Sequence, residues 1–207
     1  MNKAGLTPGT PGGHQRDQVV NRGDVEELTH KEAKQRPPNG KVRVTFPVIT
    51  NPQPKALVIH CADVRFKQAF RNFIETSAEN CLGLQEEQYV SLVIPGGVSS
   101  LAEAMILPKQ FKVAREQVEY LLDHFRTIDQ VIMINHEDCG AYQSLVERIG
   151  GGFLKKFSSL LDQQKIDLQS VAKTVLGFDA FKASVKLYMA KFANAEHTQV
   201  DFEEISL

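Results

Sequence analysis

Tryptophan is absent from the 207 residues, cysteine occurs only three times, and neither sign of charge prevails. The 24 Lys plus Arg stand against 25 Asp plus Glu, a formal net charge of -1. Such a balance lacks the electrostatic footprint of a general nucleic-acid binder, and no run of Lys or Arg restores it locally, so no nucleic-acid partner is expected. No stretch approaches the roughly 20 uninterrupted apolar residues that cross a bilayer. The first residues also lack the short apolar core of a secretory signal. The expectation is a cytoplasmic protein without a membrane partner. An odd number of cysteines without an export signal argues for reduced thiols, packed or metal-bound, rather than a disulfide framework.

Large apolar side chains are scarce before residue 55. Seven of the nine prolines (Pro8, Pro11, Pro37, Pro38, Pro47, Pro52 and Pro54) lie there, and of the twelve Phe only Phe46 does. A segment this poor in apolar surface cannot offset the entropy of ordering it. Residues 1–54 are therefore expected to be a largely disordered or extended arm, with 1–41 disordered and 55–207 forming the folded domain. Val42-Arg43-Val44-Thr45-Phe46 alternates well enough for a short strand, or equally for an extended linker, and Pro47 ends it.

From Lys55 two periods alternate. Ala56-Leu57-Val58-Ile59, Tyr89-Val90-Ser91-Leu92-Val93-Ile94 and Val131-Ile132-Met133-Ile134 are short apolar runs, each the length of a strand buried on both faces. Between them, Phe66, Ala69, Phe70, Phe73 and Ile74 repeat at three and four residues. So do Phe111, Ala114, Val118, Leu121, Leu122 and Phe125. This order predicts an α/β protein with a central, mainly parallel sheet flanked by helices. After the third strand the pattern predicts mostly helix: Asp167 caps one helix running toward Gly177, and Asp179 caps the next, with Phe181, Val185, Met189 and Phe192 inward. Thr198-Gln199-Val200-Asp201-Phe202 alternates like an added C-terminal edge strand.

In an open parallel sheet, ligands gather beyond the carboxyl ends of the strands. Two such ends carry the reactive residues. The first strand runs into His60-Cys61-Ala62-Asp63-Val64-Arg65, and the third into Asn135-His136-Glu137-Asp138-Cys139-Gly140. Two thiols and one imidazole from neighbouring strand ends are a ligand set for zinc with one position open, the pattern of a catalytic ion. The His-x-x-Cys spacing lets one tight loop supply two ligands, and Gly140 is expected to let the backbone turn closely behind them. Each piece alone is weak, since a buried Cys at a strand end is commonly a small core residue. Cys81, which follows a helix and precedes Leu82-Gly83, is expected to be such a packing thiol.

Cys61-Ala62-Asp63-Val64-Arg65 and His136-Glu137-Asp138-Cys139-Gly140 resemble the two metal-binding motifs of the β-class carbonic anhydrases. The resemblance runs from about Lys55 to the C-terminal edge strand. It implies that Cys61, His136 and Cys139 are ligands of Zn²⁺, that Asp63 and Arg65 form a catalytic pair, and that the reaction is reversible hydration of CO₂ to bicarbonate. It also implies a homodimer, or a multiple of one, with the active cleft at the subunit interface. Where the family usually has Arg-Asn-Ala-Gly, this chain has Pro95-Gly96-Gly97-Val98-Ser99-Ser100. Val64 and Glu137 replace small hydroxyl residues.

Chemistry supports the same roles. Two thiolates cancel the charge of Zn²⁺ and make it a weaker Lewis acid, so another group must help a water ionise. Asp63 suits that task if it stays ionised, and Arg65 keeps it so by pairing with it. Three alternatives stay open. One is action on carbonyl sulfide or carbon disulfide, and another is zinc binding without catalysis. His60-Cys61 also opens a phosphatase-like loop, but Arg65 comes too early and Lys67 holds the required place. His60 is a tempting proton shuttle, although a strand histidine is more often buried.

Overall fold

The structure, a computed structural model, describes residues 44–102, 104, 106–149, 159–176 and 184–207. The expected disorder of 1–41 lies outside them. Contacts divide the chain after Val48, and every element named here belongs to residues 49–207. Residues 44–49 form no strand, and Val44 and Phe46 are exposed.

Strand β1 (Ala56–His60) is followed by helix α1 (Lys67–Glu75), β2 (Tyr89–Val93), the short helix α2 (Ser99–Ala102), α3 (Pro108–His124), β3 (Gln130–His136), α4 (Gly140–Ile149), α5 (Leu160–Leu176), β4 (Ser184–Phe192) and β5 (Val200–Ile205). They build one sheet in the order β2-β1-β3-β4-β5. The first three pairings are parallel, and β5 runs antiparallel along β4. The mixed sheet with a parallel centre and an added edge strand is the expected class.

β1 and β3 lie side by side within the sheet and are apolar on both faces, because each face meets a hydrophobic layer. Leu57, Ile59, Val131 and Met133 point to one layer, with Ala114 and Val118 of α3 and Leu168, Val171 and Ala172 of α5. Ala56, Val58, Ile132 and Ile134 point to the other, with Phe66 and Phe70, Phe73 and Ile74 of α1. Burying each of these larger side chains contributes about 1.5–3 kcal/mol. β2 departs from expectation. At the sheet's edge it is only partly covered: Val90 and Leu92 pack on one layer and Tyr89 on the other, but Ser91 and Val93 are exposed.

The region after β3 corrects the sequence reading twice. Asp167 does not cap a helix: it is buried inside α5. The cap is Ser159, whose Oγ accepts the Asp162 N–H at 3.1 Å and donates to Asp162 Oδ2 at 2.9 Å. Val185, Met189 and Phe192 lie not on a helix but in β4. Their three- and four-residue spacing looks helical, yet Val185, Leu187 and Met189 face one core layer while Tyr188, Ala190 and Phe192 face the other. A doubly buried strand shows no alternation, so its period is masked. Asp179 and Phe181 lie outside the described residues.

Candidate metal centre

The parallel register sets the site. His60 pairs with Ile134, and β3 continues two residues further, so that His136 pairs with Ala190 of β4. The loops after β1 and β3 therefore open side by side. Cys61, His136 and Cys139 are all buried, and their ligand atoms lie within 4.8 Å of one another.

Their geometry fits a metal ion. Cys61 Sγ and Cys139 Sγ are 3.9 Å apart, whereas a disulfide needs about 2.05 Å. Two sulfurs on a tetrahedral zinc, each about 2.3 Å from it, sit about 3.8 Å apart. His136 Nδ1 lies 2.8 Å from the carbonyl of Glu137. A carbonyl only accepts, so Nδ1 carries the proton and Nε2 presents its lone pair. That Nε2 is buried and has no hydrogen-bond partner among the described residues. A buried polar atom left unpaired is costly, and a cation held with the two thiols satisfies it.

The two thiols titrate as a pair. Cys61 is drawn down, to about 4, chiefly by the hydrogen bond with Cys139 and further by contacts with His136 and the Gly96 N–H. Cys139 is pushed up by the same partner and by burial. A cation supplied to this pocket draws the second thiol toward its thiolate as well.

Gly96 and Gly97 make the close approach possible. The Gly96 N–H donates to Cys61 Sγ at 3.3 Å, its φ is +83°, and a Cβ there meets Ser99 Oγ at 2.4 Å. A Cβ on Gly97, at φ +56°, meets Asn135 Oδ1 at 2.4 Å. The expectation for Gly140 fails: it opens α4, and a Cβ on it meets nothing within 4 Å. The sharp turn between His136 and Cys139 is made instead by Asp138, at φ +52°.

Asp63 lies beside the ligands, its Oδ2 3.9 Å from His136 Nε2. Arg65 grips it twice, through Nε at 3.1 Å and Nη2 at 2.7 Å, and the Arg65 backbone N–H adds a bond at 2.9 Å. These bonds hold the Asp63 carboxyl below the ordinary carboxylate range, with the Arg65 side chain the largest cause. The Arg65 amide is spent on Asp63 Oδ1 and the Phe66 amide on the Asp63 carbonyl, so neither is free to cradle a phosphate, and Lys67 is an exposed residue at the start of α1.

Sequence reasoning missed two residues. Asp138 accepts from Arg65 through Oδ2 at 2.8 Å and through its carbonyl at 2.9 Å. Its only sequence signal is its place between two candidate ligands. Asn135 is buried, accepts the Val98 N–H at 3.2 Å and donates to Tyr142 Oη at 3.1 Å, tying the glycine loop to β3. Glu137 accepts from the Phe192 N–H and clasps β4. His60 is turned away, with Nδ1 2.9 Å from the Cys61 carbonyl. Its ring is 5.1 Å from that of Phe70, and burial lowers its pKa. Cys81 is half-buried against the α1 layer, outside the cluster. An apolar cavity of about 640 Å³, lined by Ile94, Pro95, Val113, Ala141 and Leu145 among others, adjoins the glycine loop without reaching the three ligands.

No family model matches the chain, and no curated protein does. Solved structures do. β-carbonic anhydrase isoform I of Trichomonas vaginalis is 12% identical, with 87% of this chain and 96% of that chain covered and a TM-score of 0.44. A tetrameric β-carbonic anhydrase of Sordaria macrospora is 12% identical, with 90% and 93% covered and a TM-score of 0.45. The β-carbonic anhydrase CafA of Aspergillus fumigatus is 14% identical, with 89% of each chain covered and a TM-score of 0.44. These three solved structures are β-carbonic anhydrases, the family whose two motifs residues 61–65 and 136–140 resemble.

Proposed function

We propose that this chain holds one zinc ion on Cys61, His136 and Cys139 and catalyses the reversible hydration of CO₂ to bicarbonate, assisted by Asp63 and Arg65. The observation that carries the reading is the convergence of two thiols and an unpartnered imidazole nitrogen within 4.8 Å, beside a carboxylate already paired with Arg65. Zinc supplies, when bound, a Lewis acid that lets a water ionise near neutral pH.

The chain's own residues do the rest. His136 is oriented by the Glu137 carbonyl, and the Gly96 N–H withdraws charge from Cys61 Sγ, which partly offsets the damping effect of two thiolates on the metal. Asp63 accepts a hydrogen bond from the reacting water and aims its lone pair. Arg65 keeps Asp63 an acceptor by favouring its ionised form. Phe66, fully buried with its ring centroid 4.2 Å from that of His136, packs against the imidazole and holds its plane in place. The proton released with each bicarbonate passes to buffer.

The domain is proposed to work in the cytoplasm as a homodimer or a multiple of one, with residues 1–54 as an arm. Among the described residues no helix is long and apolar enough to cross a membrane. Stopped-flow CO₂ hydration on protein with its zinc content quantified tests the reading. Hydration that disappears in Asp63→Ala, with zinc retained, is expected. Zinc at one per chain without CO₂ hydration overturns it. Turnover of carbonyl sulfide or carbon disulfide would then identify the substrate, and no turnover at all would leave a zinc-binding protein.

A further inference from the structure

The Arg65 guanidinium has five N–H donors in one plane, and two aspartates take four of them. Asp63 takes Nε and one N–H of Nη2; Asp138 takes Nη1 with its side chain and the other N–H of Nη2 with its backbone carbonyl. Asp138 is itself held, because Gln143 Nε2 donates to its Oδ1 at 2.9 Å and leaves Oδ2 for the arginine. The backbone at Asp138 has φ +52°, a conformation that costs most residues energy but that Asp and Asn tolerate. Arg65 and Asp138 side chains are each nearly half exposed, at 46% and 47%. An ion pair so exposed adds little to stability. Its arrangement instead bridges the loop that carries Cys61 and Asp63 to the loop that carries His136 and Cys139.

We propose that Asp138 is a positioning residue, which locks the Arg65 guanidinium so that the Asp63 carboxylate stands beside the metal and is kept from ligating it. The inference rests on the metal-binding reading of the centre, and not on CO₂ as the substrate. Asp63 Oδ2 is already only 3.9 Å from His136 Nε2, so a small swing brings it within ligating distance of an ion held there. Arg65 opposes the swing by competing for the same oxygen. With Asp138 gone, a half-exposed arginine regains its rotamers and its grip on Asp63 loosens.

Asp138→Asn and Asp138→Gly both accept the left-handed backbone, so neither strains the loop. The full-length protein is loaded with Co²⁺ as a spectroscopic substitute, and visible absorption reports the ligand set. The expected result is a changed spectrum in Asp138→Gly, a smaller change in Asp138→Asn, and return to the spectrum of Asp63→Asn in the double variant Asp63→Asn with Asp138→Gly. Faster exchange of the Arg65 Nε–H by NMR, measured without metal, is expected alongside. Where the wild-type protein hydrates CO₂, kcat/KM falls about 10- to 100-fold in Asp138→Gly. Identical cobalt spectra in wild type and Asp138→Gly overturn the proposal. So does loss of cobalt binding in both variants, which makes Asp138 part of the metal-binding loop's fold. A wild-type protein that binds no cobalt overturns it together with the metal reading. Cobalt spectra that behave as expected in a protein inert toward CO₂ sink the substrate and leave the positioning role standing.

Discussion

Cys61 Sγ and Cys139 Sγ stand 3.9 Å apart although 78 positions separate them in the chain. The parallel pairing of β1 with β3 brings them together, because it sets His60 opposite Ile134 and opens both loops on one edge. The distance is close to that between two sulfurs on a tetrahedral zinc and nearly twice a disulfide.

Purified protein is expected to carry one zinc per chain. Cys139→Ser and His136→Ala lose it, and Cys81→Ser keeps it, as measured by elemental analysis after dialysis. Metal retained in full by either ligand variant contradicts the assignment.

The glycines give a paired test. Gly97→Ala sets a Cβ 2.4 Å from Asn135 Oδ1 at φ +56° and is expected to destabilise by about 1–3 kcal/mol. Gly140→Ala meets no atom within 4 Å at the start of a helix and is expected to be neutral or stabilising by up to about 1 kcal/mol. Urea unfolding at pH 7 separates the two.

Acid dependence follows from Asp63. Its folded pKa lies below the ordinary value because Arg65 stabilises the charged form. The unfolded chain therefore binds the proton at higher pH than the folded one. The contribution of Asp63 is complete above the unfolded value, roughly 4, and is lost as pH falls through the folded value. Below pH 4, the stability gap between wild type and Asp63→Asn is expected to narrow. A gap that stays constant between pH 6 and pH 3 in denaturant titrations argues that the Arg65 pairing contributes nothing.

Phe70 is buried between Phe66, His60 and Phe202 in the α1 layer. Phe70→Ala is expected to cost about 3–5 kcal/mol by leaving a cavity. Val64, which is 82% exposed beside the site, tolerates Ser within about 0.5 kcal/mol. Thermal unfolding distinguishes the two.

The strands β1 and β3 were legible because four apolar residues in a row, flanked by polar loops, have few other uses in a chain of this size. Helices α1 and α3 were legible because one face of each is wet and the other dry. β4 was not, since a strand buried on both faces loses the alternation that marks a strand, and its Val185, Met189 and Phe192 mimic a helical stripe. Asp167 looked like a cap because acidic residues favour helix starts. Its burial depends on neighbours that local sequence does not specify.

At the candidate centre, residue types and spacing within each loop identified Cys61, Asp63, Arg65, His136 and Cys139 as a set capable of metal chemistry. Local sequence determined that much, because ligand chemistry and backbone freedom belong to single residues and short spacings. The tertiary structure alone decided that Asp138 makes the tight turn in place of Gly140, that it shares Arg65 with Asp63, and that Asn135 joins the glycine loop to β3. The last two are contacts between segments far apart in the chain, whose distances exist only once the sheet has set its register, and the turn at Asp138 is a backbone conformation that its residue type permits without requiring.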